Sequence, residues 1–238
     1  MARDKPLPKS KKQKKWEKAK RPVALGRYLI VCEGEKTEPN YFKWYNEELK
    51  RLKNALAHSK TPEGIFVIEL GDEFVIEGVG RNTKSLLEYA IEQRNRATVD
   101  YDQVWCVFDR DSFPAQDFND VIFSAAKHDI KVARSNEGFE LWYLLHYHYY
   151  DTGISRKQYQ KMLTALLKKP YQKNSETMYE DLQKTGGKQE GAIDNAKTLL
   201  STYGSRTDYA DHNPSTTVHE LVKALNDYLD DFQKRFGL

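Results

Sequence analysis

The sequence predicts an α/β protein: a mostly parallel sheet flanked by helices and continued by a C-terminal helical lobe. Short apolar runs alternate four times with helix-period segments, which is the pattern of parallel strands joined by crossover helices. Beyond Phe139 the strand pattern stops and helical periods take over. The 238 residues are ample for a core, and the 12% aromatic content argues against wholesale disorder although only 39% of residues are hydrophobic.

Residues 1–26 form a basic arm whose few apolar side chains cannot offset the entropy of ordering it. RYLIVC (27–32) reads as the first buried strand. Thr37 to Leu56 follows as an amphipathic helix, with Tyr41, Phe42, Tyr45, Leu49, Leu52 and Leu56 three or four apart and Pro39 in its first turn. GIFVIEL (64–70) is the expected second strand, and Thr83 to Arg96 a helix capped by Asn82 or Thr83. QVWCVF (103–108), a helix from about Ala115 to His128 and IKVAR (130–134) complete an α/β unit over residues 27–136.

The lobe, residues 137–238, is read as helices over 140–150, 157–169, 175–183, 191–203 and 216–232. Thr217 with Glu220 would form a capping box for the last of these.

The net charge of +3 conceals an asymmetry. Residues 1–27 hold 11 Lys and Arg against 2 acids, which leaves 27 basic and 33 acidic side chains in the rest. A mildly acidic body thus carries an arm suited to sequence-blind contact with phosphate backbones, or simply to solubility. Cys32 and Cys106 sit in apolar runs without CxxC or CxxH neighbours, as buried thiols do in a reducing cytoplasm, and a zinc site is not expected. No window approaches 18 apolar residues and no basic-then-apolar leader opens the chain, which disfavours a membrane span and a secretory signal.

Parallel sheets bind ligands beyond the carboxyl ends of their strands. There the sequence places Cys32-Glu33-Gly34-Glu35-Lys36-Thr37-Glu38 after strand one and Asp109-Arg110-Asp111 after strand three. Carboxylates two apart in extended chain point to one side, so Asp109 and Asp111 can converge on a cation. Such oxygen donors suit Mg²⁺, with Mn²⁺ as a substitute.

Gly34 permits a tight exit from the strand, and Glu38 falls in a helical first turn, where the dipole alone would also favour it. Lys36 and Arg110 could bind substrate phosphate or pair with their acidic neighbours. His146 is a packing or substrate-contact residue, since residues two apart on a helix cannot act with His148 as a metal pair. Trp142, Tyr143 and Tyr147 read as packing residues that could stack bases if exposed.

The acidic residue and glycine after strand one, with D-x-D after strand three, resemble the Toprim domain of primases, type II topoisomerases and OLD-type nucleases. LIVCEGEKTEPNYF (29–42), VFDRDSF (107–113), SNEGFELWYLLHY (135–147) and NPSTTVHELV (213–222) more closely resemble the RloB family of bacterial defence proteins, over residues 27 to about 225. That resemblance implies a metal-dependent nuclease of anti-phage defence working with an ABC- or OLD-type ATPase. Glu33 would be the general acid/base or a metal-bridging carboxylate, Asp109 and Asp111 would hold Mg²⁺, and Glu38 and Glu140 would be further ligands.

The family segment after strand four runs Ser-Asn-Pro before Phe-Glu-x-Trp; this chain has Glu137-Gly138 there but keeps Glu140 and Trp142. DNA and RNA, transfer RNA included, stay open as substrates, as does oligomeric state. Other Toprim phosphotransfer chemistry, such as strand passage or priming, and a non-catalytic binding subunit with an inert acidic pocket are the competing readings.

Overall fold

A computed structural model of the chain describes residues 26–58, 73–80, 82–110 and 114–238. The arm through residue 25, the expected strand 64–70 and Asp111 lie outside the described residues. The sheet contains β1 (Tyr28–Cys32), β2 (Phe74–Gly78), β3 (Gln103–Asp109), β4 (Lys131–Asn136) and β5 (Ser215–Thr216) in the order β2-β1-β3-β4-β5. The first four are parallel, and β5 pairs antiparallel with the end of β4. FVIEG, which supplies β2, has the β-branched content of a strand but is short and flanked by acids, so its period is weak in the sequence.

Side chains alternate across the sheet and build a core on each face. Ile30, Cys32, Trp105, Val107 and Ala133 meet α1 (Thr37–His58), α4 (Glu140–Leu145), α5 (Arg156–Leu166), α6 (Met178–Lys184), α7 (Gln189–Ser201) and α8 (Val218–Phe236). Leu29, Val31, Val104, Cys106 and Phe108 face α2 (Thr83–Arg96) and α3 (Ala115–Lys127). The C-terminal helices therefore join the same core as α1, and both cysteines are buried and free.

Asn82 caps α2, its side chain accepting from the Ser85 amide at 3.0 Å. All six residues of α4 are buried, with Trp142 and Tyr143 both packed against the Tyr41 ring of α1. At 150 Å² or more of area removed from water, each ring contributes roughly 4 kcal/mol.

Three expectations for the C-terminal half are corrected. The helix over 140–150 ends at Leu145, because the His146 carbonyl accepts from the Lys188 amide at 2.7 Å and the chain turns toward α7. The strand signal does not disappear after Phe139: Ser215–Thr216 adds a two-residue strand, too short to leave a period.

Thr217 does not form a capping box with Glu220. Its hydroxyl donates to the Val132 carbonyl at 3.0 Å and accepts from the Arg134 amide at 2.9 Å, so it serves the edge of β4. The reciprocal arrangement occurs instead at α5, where the Gln158 side chain accepts from the Ser155 amide at 3.0 Å. Among the described residues no helix is long and apolar enough to cross a membrane.

Candidate functional site

The order of the sheet reverses between β1 and β3, since the chain runs outward from β1 to β2 and from β3 to β4. At such a switch point the loops diverge and leave a crevice at the carboxyl ends. Glu33, the first residue past β1, accepts from the Thr83 hydroxyl at 3.1 Å through Oε1 and from the Asp109 amide at 3.2 Å through Oε2. It thereby ties the ends of β1 and β3 to the start of α2.

Glu38 lies in the first turn of α1 and folds back over Gly34. A methyl group at Gly34 would stand 2.9 Å from the Glu38 Cδ and 3.0 Å from Oε1, so glycine clears the space the carboxylate occupies. Glu38 is 5% exposed, Asp109 7% and Glu140 1%. Burial pushes Glu38 up to about 7, with Glu140 and Glu33 adding repulsion and Lys173 opposing it. Asp109 is likewise raised, by burial first and then by the charge of Glu38, with the Arg156 guanidinium pulling the other way. Among the described residues, the Glu38 Oε2 and Asp109 Oδ1 atoms are buried without a hydrogen-bond partner.

Arg156, the first residue of α5, enters the cluster from the helical side. Its Nη2 donates to Asp109 Oδ2 at 2.7 Å, and its Nε is 3.5 Å from Glu140 Oε2. Glu140 Oε1 accepts from Gln160 at 3.2 Å and from the Tyr171 hydroxyl at 3.3 Å. The segment bearing Tyr171 is pinned over the start of α1: the Thr37 hydroxyl donates to the Lys173 carbonyl, and the Asn40 amide to those of Asn174 and Ser175.

The structure thus brings Glu33, Glu38, Asp109 and Glu140 to one place. Lys36 is exposed beside them, while the Arg110 guanidinium lies 5.8 Å over the Phe118 ring of α3. His146 is enclosed, its Nδ1 2.9 Å from the Trp142 carbonyl and its Nε2 3.3 Å from the Tyr41 hydroxyl, and burial lowers it to about 4. Trp142 and Tyr143 are buried packing residues.

Arg156, Tyr171 and Thr83 are the members that sequence reasoning missed. Arg156 stands 47 positions from Asp109 in a lysine-rich helix start, and no local pattern separates it from a solvated charge. Among the described residues no group of three His, Cys, Asp or Glu side chains is set to hold a metal ion, the Arg156 side chain standing between Asp109 and Glu140.

The open, mostly parallel sheet flanked by helices, with a C-terminal helical part, is consistent with a Toprim-like fold. The family described as RloB-like protein matches residues 28–225, and the chain belongs to that family. No curated protein and no solved structure matches it.

Proposed function

We propose that the chain is a divalent-metal-dependent nuclease that hydrolyses phosphodiester bonds of DNA or RNA in the cytoplasm, in anti-phage defence and with an ABC- or OLD-type ATPase partner. The observation that carries the catalytic part is the pair of buried oxygens, Glu38 Oε2 and Asp109 Oδ1, at the switch point of the sheet, which have no hydrogen-bond partner among the described residues. Buried carboxylate oxygens are costly unless a cation or donor meets them. Mg²⁺ and Mn²⁺ fit this donor set, because Mg²⁺ is commonly held by one or two carboxylates with water and substrate phosphate completing its shell.

Glu38 and Asp109 would hold the ion, with Glu33 and Glu140 beside them and Asp111 the further ligand implied by the family resemblance. When bound, it would supply charge neutralisation at the scissile phosphate and a more acidic water. Glu33, held by the Thr83 hydroxyl and the Asp109 amide, would accept a proton from the attacking water. Lys36, exposed at the rim, supplies positive charge for the backbone of the substrate, and the basic arm adds sequence-blind attraction.

The test is to incubate the pure protein, with and without its genomic neighbour, with labelled DNA and total RNA in Mg²⁺ or Mn²⁺. Cleavage is expected from the native chain and its loss from Asp109→Asn and Glu33→Gln, both retaining native circular dichroism. Folded variants that cut as well as the native chain would sink the proposal. The ion pairs of Arg156 to Asp109 and Glu140 favour the second reading, an inert acidic pocket in a binding subunit, which predicts nucleic-acid binding without cleavage in any of these conditions.

A further inference from the structure

We propose that the site takes a single divalent cation and that Arg156 permanently fills the place of a second. The inference rests on the metal-dependent reading above and concerns how many ions that reading requires. The two oxygens of Asp109 are engaged differently. Oδ2 accepts from Arg156 Nη2 at 2.7 Å, whereas Oδ1 is buried with no hydrogen-bond partner among the described residues.

Glu140 belongs to the arginine side. Its Oε2 is 3.5 Å from Arg156 Nε, and its Oε1 accepts from Gln160 and Tyr171. Glu38 belongs to the other side, with Oε2 buried and unpartnered among the described residues. Asp109 Oδ1 and the neighbouring Glu38 Oε2, whose charge acts on Asp109, are the oxygens left for a hard cation, while on the other side of Asp109 a guanidinium bridges two carboxylates as a second ion would in a two-metal site.

The position of Arg156 is built, not incidental. Gln158 accepts from the Ser155 amide and so sets the start of α5 at residue 156. Gly138 clears the guanidinium: a Cβ there would stand 2.7 Å from Arg156 Nε and 2.9 Å from Nη2. Arginine keeps its charge at any working pH and, unlike an ion, cannot dissociate. One of the positive charges demanded by the carboxylate cluster is thus covalently supplied, in a group whose N–H donors also suit phosphate oxygens.

The experiment counts Mn²⁺ bound to the full chain by electron paramagnetic resonance of the free ion, with near-ultraviolet circular dichroism to verify folding. One ion per native chain is expected. Arg156→Ala, or Arg156→Met, which keeps the bulk of the stem, vacates Asp109 Oδ2 and Glu140 Oε2 and is expected to bind two, whereas Arg156→Lys stays at one. Two ions on the native chain would overturn the inference even if no variant folds. A folded Arg156→Ala or Arg156→Met variant that still binds one ion, with unchanged affinity, would overturn it as well. Both results leave the metal-dependent reading standing, whereas no Mn²⁺ on the native chain or any variant would overturn that reading itself.

Discussion

The buried Glu38 carboxyl makes the metal-free protein less stable as pH rises. Burial lifts the group from its ordinary 4.5 to about 7, so between those values the folded chain keeps a proton that the unfolded chain releases. The folded state then binds more protons, and stability falls through that window. At about 1.4 kcal/mol per pH unit the loss from Glu38 is about 3 kcal/mol, and the raised Asp109 acts in the same direction. Replacing Glu38 by Gln removes the titration and gives up a favourable helix-dipole interaction of only ~0.5 kcal/mol.

Urea unfolding in EDTA from pH 4.5 to 8 should therefore show a flatter pH profile for Glu38→Gln. Above pH 7 that variant should be the more stable by roughly 2–3 kcal/mol, or about 5–10 °C in Tm for a chain of this size. Replacing EDTA with Mn²⁺ above pH 7 should restore the native chain, whose ionised carboxylates then meet a cation, and leave the variant nearly unchanged. Parallel profiles for the two proteins, or a native chain that gains on the variant as pH rises, would refute the reasoning.

Two substitutions separate clearance and edge contacts from general packing. Gly34→Ala pushes the Glu38 carboxylate out of its place without demanding a left-handed backbone, so calorimetry should find Mn²⁺ affinity lowered at least ~10-fold while stability changes by no more than about 1 kcal/mol. Unchanged affinity would show that Glu38 holds no ion. Thr217→Ala leaves the Arg134 amide and Val132 carbonyl short of a partner and should cost about 1–2 kcal/mol in urea unfolding, against less than about 0.5 for Glu220→Ala. Equal costs would restore the capping box.

The alternation of RYLIVC, QVWCVF and IKVAR with amphipathic segments was legible because burial on both faces requires continuous apolar runs and crossover helices require a 3.6 period. Glu33, Glu38 and Asp109 were legible for the same reason: once the strands are placed, the residues after them lie at the ligand-binding edge. Glu140 came from the family resemblance, and its neighbours did not come at all. The short strands Phe74–Gly78 and Ser215–Thr216 span too few residues to establish a period, and each is held by pairing to a longer neighbour.

By itself, then, the sequence determined three parallel strands of the sheet and the acidic edge beyond them, because these follow from local hydrophobic period and from which residue types end a strand. Only the tertiary structure decided that His146 is sealed against Tyr41 and Trp142, that Thr217 serves β4, and that Arg156 stands among the carboxylates. Those outcomes depend on which distant side chain fills a space, and no pattern within one segment records that.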